Sequence, residues 1–162
     1  MKLLRSNKSG LTFHLGRREQ SLLLETIRLY PLVPAAHQRL SKSAAGDKPE
    51  ENQRLLESAL AEQRRENRRH VLAMLNEPER FRAVKSGFEL TLTSPQAEWL
   101  LQVLNDVRVG SWLALGEPEE SEPPEVTEQN AQFLLALELS GLFQSLLLAA
   151  LGVTPPSDLE EG

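Results

Sequence analysis

Residues 8–15 read KSGLTFHL, and residues 85–92, which lie 77 positions further on, read KSGFELTL. In both copies apolar residues occupy every second position after the Lys-Ser-Gly segment, a pattern typical of a strand with one buried face. Glycine accepts the positive φ that hairpin turns need, so Gly10 and Gly87 mark the turns. The two copies therefore predict two β-hairpins.

The helices predicted after the two hairpins align at the same offset, with residues 22–24 (LLL) matching 99–101 (WLL). We infer an internal repeat of a hairpin and a helix over 3–30 and 80–107. An isolated hairpin is barely stable in water, so we expect the two hairpins to pair into one small antiparallel sheet. Helices must then cover the apolar side of that sheet.

The first half of the chain predicts two helices with a loop between them. Helical periodicity runs over 17–30 and over 49–76, whereas 34–49 is rich in Ala, Ser, Lys and Gly and is expected to form a loop. The second helix contains a run without any apolar residue, 62–70. Its buried face must therefore either accept polar groups there or leave the core.

The second half predicts two more helices. Ser94 is a suitable cap for a helix over 95–115, which opens on a proline, and Thr127 is a suitable cap for the last helix, over 128–151. The acidic segment 117–126 between them has too little apolar content to fold. It is expected to be a solvated loop.

The last helix is apolar on nearly every side, which is typical of a helix wrapped by the rest of a protein or of a membrane span. Residues 133–153 are long enough to cross a bilayer, which takes about 20 residues. Glu138, Ser140, Gln144 and Ser145 argue against a span, as does the lack of flanking Lys or Arg. We therefore expect a core helix.

These elements favour one domain over residues 1–162, of the α+β class and mainly helical. A small antiparallel sheet from the two β-hairpins is expected to pack on a four-helix bundle with the C-terminal helix at its centre. The composition, 40% apolar and 25% charged, is that of an ordinary globular protein. The acidic tail, 154–162, is expected to be solvated.

Charge is distributed unevenly along the chain. Residues 1–48 carry +6, residues 49–116 carry −1 and residues 117–162 carry −10, for a net charge of −5. The two ends therefore either pack side by side in one fold or meet different partners. The start of the chain lacks a signal peptide, which predicts a cytoplasmic location.

The sequence offers little for catalysis. Cysteine is absent, which excludes disulfides, thiolate metal sites and cysteine nucleophiles. The histidines, His14, His37 and His70, show no metal-binding spacing, and His14 is expected on the exposed face of its strand. Neither a phosphate loop nor a nucleophile elbow is present. We expect no metal and no cofactor, and an enzyme is disfavoured.

The long helix carries a cluster of four arginines on adjacent faces, Arg64, Arg65, Arg68 and Arg69. Guanidinium groups can bind carboxylates or phosphates bidentately, but two interleaved glutamates can also neutralise them along the helix. The cluster is therefore a solvated face, a protein-docking site or a nucleic-acid site. Nucleic acid is disfavoured, because the chain is acidic and has few aromatic residues for base stacking.

Three polar residues, Asn105, Asp106 and Arg108, interrupt the most amphipathic helix. Asp106 shares a flank with apolar positions, so it is expected to be partly buried and to need a cation. Arg108 is too near in sequence to be its natural helical partner, and an arginine of the long helix is an alternative. The interpretations are a structural ion pair or a functional site.

Residues 99–108 read WLLQVLNDVR and are followed by LALG at 113–116. This segment resembles the signature helix of an uncharacterised bacterial family, the domain of unknown function DUF2017. The apolar final helix, 133–151, fits the ending of that family, so the resemblance covers roughly the last 70 residues. It implies, by association only, a role near regulated proteolysis, because members tend to be encoded beside an adaptor of the Clp protease.

We therefore expect a non-catalytic protein-interaction or regulatory domain. Its partner is expected to be a protein, and a second copy of the chain is one candidate. Binding to a membrane is disfavoured. The alternative is a small-molecule-binding or hydrolytic domain with a pocket around Asp106 and Arg108. A third hypothesis, nucleic-acid binding, predicts steeply salt-dependent affinity.

Overall fold

The computed structural model of the chain describes residues 1–34 and 48–152. Most of the predicted loop over 34–49 and all of the acidic tail over 154–162 therefore lie outside the described residues, as does His37. The described part forms four strands and four helices, in the order β1 (Lys2–Asn7), β2 (Gly10–Leu15), α1 (Arg17–Arg28), α2 (Pro49–Leu75), β3 (Phe81–Val84), β4 (Gly87–Leu92), α3 (Ser94–Ala114) and α4 (Ala131–Ala150).

The α+β class, mainly helical, with one antiparallel sheet made from the two hairpins, is confirmed. The strand order is β1-β2-β4-β3, so β2 and β4 pair at the centre, with Leu11 opposite Leu92 and Phe13 opposite Leu90. The apolar side chains Leu11, Phe13, Leu15, Leu90 and Leu92 of these two strands face the helices and are buried. His14 lies on the other face, as predicted, where its Nε2 is 2.9 Å from Ser86 Oγ.

Two glycines allow the central strands of the sheet to approach each other closely. Gly10 has φ +146° and Gly87 has φ +150°, which L side chains rarely adopt. A Cβ at Gly10 would lie 2.2 Å from the carbonyl oxygen of Leu92, and one at Gly87 would lie 2.2 Å from that of Leu15. Each glycine therefore adopts the backbone conformation that its own hairpin turn requires. It also leaves room for the last residue of the other central strand.

The start of α3 differs by one residue from the expectation. Thr93, not Ser94, is the cap: its Oγ1 accepts a hydrogen bond from the Gln96 backbone N–H (3.3 Å), and Gln96 Oε1 accepts one from the Thr93 N–H (3.0 Å). This reciprocal capping box needs Gln three residues after the cap, and only Thr93 has that spacing. The helix then begins at Ser94.

The start of α4 also differs. Thr127 Oγ1 accepts from the Asn130 N–H (3.2 Å) and Asn130 Oδ1 accepts from the Thr127 N–H (2.8 Å). These bonds stabilise a turn over 128–130, and the regular helix begins only at Ala131. The predicted cap therefore organises a turn in front of the helix.

The long helix α2 matches its predicted span to within one residue, but it lies at the edge of the fold. Its buried residues are Val71 and Met74, near its C-terminal end, whereas Leu55 in its first half is 63% exposed. The polar run over 62–70 leaves the core and makes side contacts, such as Asn67 Nδ2 donating to Tyr30 Oη (3.4 Å). This resolves the alternative that the sequence left open.

Helix α4 contacts α1, α3 and β1. It was expected to be surrounded by the rest of the protein, but it is covered only in part. Its buried residues form one stripe, Ala136, Ser140, Phe143 and Leu147. Beside this stripe, Leu135 and Leu142 are 51% and 54% exposed and no described element covers them. The reason is that α2, the fourth helix, packs at the edge of the fold instead of closing the bundle around α4.

Candidate protein-interaction surface

Asp106 is a buried anchor for the chain that follows α1. Its Oδ1 accepts hydrogen bonds from the backbone N–H groups of Leu32 (2.6 Å) and Val33 (3.2 Å). Gly110, one turn later on α3, leaves the space that Leu32 occupies, since a Cβ at Gly110 would lie 2.6 Å from Leu32 Cγ. The second half of α3 thereby holds this segment in place.

The cation beside Asp106 comes from the long helix. Arg64 Nη2 lies 3.9 Å from Asp106 Oδ2, and Arg64 Nη1 donates to the carbonyl oxygen of Val33. Both side chains are nearly buried, with 12% of Arg64 and 14% of Asp106 exposed. The pair therefore ties α2, α3 and the segment after α1 to one another.

The other three arginines of the cluster face solvent. Arg65 pairs with Glu62 (3.3 Å), and the side chains of both are about three-quarters exposed, at 74% and 75%. Arg68 and Arg69 are exposed and make no hydrogen bond or ion pair with any described residue. The four guanidiniums therefore do not converge on one site.

A shallow cavity of about 290 Å³ borders Asp106 and is lined by side chains such as Tyr30, Asn67 and Gln102. The hydrolytic alternative would be favoured by a second carboxylate facing Asp106. Among the described residues that line this cavity, Asp106 is the only acid, and its Oδ1 already accepts two backbone N–H groups. Arg108 does not line it. The structure separates Asp106 and Arg108 onto different sides of α3.

Arg108 instead lies in a groove between α3 and α4, with a volume of about 820 Å³. Asn105 helps to join the two helices, since its Oδ1 accepts from Gln144 Nε2 (3.4 Å). Trp112 closes the groove by donating from Nε1 to the carbonyl oxygen of Pro118 (3.1 Å), which holds the acidic segment in place. The apolar walls are formed by Val109, Trp112, Leu134, Leu137 and Leu142.

The charges of this groove are unpaired within the described chain. Arg108 and Glu138 both line it, yet neither makes an ion pair or a hydrogen bond with a described residue. Glu119 and Glu120 form part of its acidic rim. An apolar groove with free charges at its edge is the composition expected of a protein interface, where aromatic and arginine side chains supply most of the binding energy.

Next to the groove, α4 exposes a row of leucines that we call the leucine face, Leu135, Leu139, Leu142 and Leu146. Leu135 is 51% exposed and Leu142 is 54% exposed, while the other two are half-buried. α4 is also a helix long and apolar enough to cross a membrane by length and composition alone, with 28% of its most apolar window buried. A contiguous apolar row on a protein surface marks a contact site.

Sequence reasoning did not single out the leucine face or Trp112. Two apolar stripes run side by side along α4, one buried and one exposed, so the sequence reads as apolar all round. The signal that was available is the alternation of four- and three-residue steps between the exposed leucines. That spacing is typical of a helix that pairs with another helix.

The outer face of the sheet carries a charged cluster around Glu89. Arg82 donates to its carboxylate, and Arg5 Nη2 lies 4.0 Å from its Oε2. The hydrogen bond from Arg82 lowers the pKa of Glu89 from the ordinary 4.5, although burial acts in the opposite direction, and the charges of Arg82, Arg5 and His14 add to the lowering. The ionised carboxylate of Glu89 therefore contributes to folding stability above pH 4.5, and this contribution is lost as the pH falls through the lower pKa of the folded state.

Replacing Arg82 with alanine is expected to raise the pKa of Glu89 toward its ordinary value, because the largest cause of the lowering is removed. The side-chain carboxyl resonance of Glu89, followed by NMR through an acid titration, measures this directly. Arg5→Ala is the matched control and should shift the same resonance less. An unchanged Glu89 pKa in the Arg82 variant would contradict the ion pair.

No group of three or more His, Asp or Glu side chains within residues 1–34 and 48–152 is arranged to hold a metal ion. The fold and its surface define a small, mainly helical α+β protein with an open sheet face and an exposed, leucine-rich helix. A family model described as a domain of unknown function, DUF2017, matches residues 4–151. The chain belongs to this family.

The match includes the basic hairpin and the long arginine helix, so the expectation that only roughly the last 70 residues resemble the family is wrong. Short amphipathic hairpins carry few distinctive residues, and the resemblance was therefore visible only in the richer pattern of α3. The match does not bear on a bacterial origin. No curated protein and no solved structure is significantly similar to the chain.

Proposed function

We propose that the protein is a non-catalytic protein-interaction domain and that its docking surface is the leucine face together with the groove beside Arg108 and Trp112. The observation that carries this proposal is the exposure of Leu135 and Leu142 in the middle of a helix. Two half-exposed leucines two turns apart, next to an indole and the guanidinium of Arg108, form a compact apolar centre with a polar rim. Such a centre is where binding energy concentrates.

The arrangement of the candidate residues supports binding better than catalysis. Asp106 and Arg64 are held by each other and by backbone groups, so they position the chain and are not available to a substrate. The exposed arginines of α2 lie on a different surface, paired in part with their own helix. The docking surface is therefore proposed on α4, and the arginine cluster is the comparison site for its test.

The partner class to test first is a component of regulated proteolysis, which the family resemblance implies by association. A cytoplasmic location and a bacterial origin stay predictions from the sequence. The proposal itself depends only on the surface of α4, because the exposed apolar groups would gain free energy on burial against any complementary protein, about 25 cal/mol per Å² of apolar area.

Leu142→Glu is expected to weaken partner binding at least ~30-fold, the effect of losing a central contact worth about 2 kcal/mol. Leu142 is half exposed, so the variant should unfold at nearly the same denaturant concentration as the natural chain. The measurement is capture from an extract of the native cell on immobilised protein, with bound proteins quantified by mass spectrometry, followed by binding assays with each purified partner.

Two controls sharpen this experiment. Leu55→Glu makes the same substitution at a leucine that is 63% exposed on α2, and it should leave capture unchanged. Arg68→Ala with Arg69→Ala removes two free charges of the arginine cluster. Capture that survives Leu142→Glu but is lost in the arginine variant would place the docking site on α2 and overturn the proposal.

A further inference from the structure

We infer that the partner of the leucine face is the same face of a second copy of this chain, packed antiparallel about a twofold axis midway between Leu142 and Leu146. This inference rests on the proposed function, because it assigns an occupant to the same docking surface. Three features of the described chain carry it: the spacing of the leucines, the direction of α4 in the fold and the distribution of charge along it.

The spacing is that of a paired helix. Leu135, Leu139, Leu142, Leu146 and Ala149 follow one another in steps of four, three, four and three residues, the repeat that keeps one seam of a helix against a partner helix. From Leu139 to Ala149 the row is symmetrical about the level midway between Leu142 and Leu146. An antiparallel pair centred there places Leu142 opposite Leu146 and Leu139 opposite Ala149, so the same patch meets itself, as a twofold interface requires.

The direction of α4 follows from its contacts with α3. Asn105 bonds Gln144 and Arg108 lies beside Gly141, so residue numbers rise on one helix as they fall on the other, and the two helices are antiparallel. α3 begins directly after β4, at the sheet. The last turns of α4 therefore lie at the sheet end of the molecule, and its first turns lie at the opposite end.

Charge separates along the same axis. The segment that leads into α4, residues 117–128, carries six glutamates and no Lys or Arg. The sheet end carries exposed basic side chains, including Lys2 and Arg5 on β1 and Arg17 and Arg18 at the start of α1. β1 and α1 both contact α4. The two ends of the leucine face are therefore of opposite sign.

An antiparallel pair of chains forms two attractive contacts from this separation of charge. The acidic end of each copy meets the basic end of the other, whereas a parallel pair would bring acid against acid and base against base. The six glutamates of 117–128 thus become complementary to the basic side chains at the sheet end of the other copy. Arg108 and Glu138, which pair with no residue of the described part of the chain, lie beside the face, where the second copy can supply a charge of opposite sign.

The test begins with the mass of the full chain in solution, by sedimentation equilibrium and by light scattering after size exclusion. We expect a concentration-dependent dimer. Leu142→Glu should raise the dimer dissociation constant at least ~100-fold, because the twofold axis buries two glutamates at the centre of the interface, each opposite Leu146 of the other copy. Leu55→Glu, the matched control on α2, should leave it unchanged. A wild-type chain that stays monomeric at millimolar concentration overturns the inference.

The orientation of the two copies is tested by disulfide cross-linking. The natural chain has no cysteine, so only the introduced cysteines can react. A mixture of the Leu142→Cys and Leu146→Cys chains should form a disulfide between copies on mild oxidation. Leu139→Cys alone should not, but a mixture of the Leu139→Cys and Ala149→Cys chains should cross-link to each other. Efficient cross-linking of Leu139→Cys with itself indicates a parallel pair and overturns the inference.

Failure of this inference and failure of the proposed function are distinguishable. If the chain is monomeric but binds a different protein, and Leu142→Glu abolishes that binding, the dimer is contradicted and the docking surface is supported. A monomeric chain whose captured proteins are unaffected by Leu142→Glu contradicts both.

Discussion

Replacing Gly87 with alanine is expected to lower the free energy of unfolding by at least ~3 kcal/mol, or to prevent folding. Two costs combine at this position. The backbone has φ +150°, and the new Cβ would lie 2.2 Å from the carbonyl oxygen of Leu15 and 3.0 Å from Gly16 Cα. These are backbone atoms of the adjoining strand and turn, so they cannot rotate away, and the pairing of β2 with β4 must shift.

Urea denaturation followed by circular dichroism measures this effect. Gly141→Ala is the matched control, because its Cβ would lie 3.8 Å from Arg108 Nε, an ordinary contact, and alanine has the higher helix propensity. That variant should be as stable as the natural chain or slightly more stable. A Gly87→Ala chain that unfolds within about 1 kcal/mol of the natural one would contradict the described register of the central strands.

Asp106→Ala is expected to cost about 3 kcal/mol of stability, because it leaves a nearly buried guanidinium and two backbone N–H groups without their acceptor. Arg64 would then be a charge at 12% exposure whose one remaining partner among the described residues is the Val33 carbonyl oxygen. The Leu32 and Val33 amides would lose their acceptor as well. The same denaturation experiment measures the loss.

The control is Asn105→Ala, an exposed neighbour on the same helix whose single hydrogen bond is 3.4 Å long. It should change the stability by less than about 1 kcal/mol. Arg64→Met in the Asp106→Ala background should recover part of the loss, because it removes the uncompensated charge and keeps the apolar length of the side chain. Equal stability of the Asp106 and Asn105 variants would show that Asp106 does not anchor the chain after α1.

Both predictions concern contacts between segments that are distant in sequence. Gly87 lies against the end of β2, and Asp106 lies against the segment after α1 and against α2. The alternation in β2 and β4 predicted the hairpins, and the burial of Asp106 near an arginine of the long helix was also among the expectations. Which arginine it would be, and which backbone amides would complete the site, depended on how the helices pack.

The end positions of the helices show where local pattern is ambiguous. Thr93 and Ser94 are both good caps, and the choice between them came from Gln96, whose side chain reaches back only to Thr93. At α4, Thr127 and Asn130 bond each other in a turn before the helix begins. Cap residues compete over three or four positions, so the sequence alone leaves the first turn uncertain.

The sequence by itself determined the two hairpins, the glycine turns and the helical segments, since each depends on periodicity and turn chemistry within a few residues. It also predicted how charge is divided along the chain. Only the tertiary structure decided which side of α4 is covered. The helix is apolar on nearly every side, so its composition does not distinguish the stripe of Phe143 and Leu147 from that of Leu135 and Leu142. The distinction arises because α1, α3 and β1 pack on one side, while α2 lies at the edge of the fold and leaves the leucine face open.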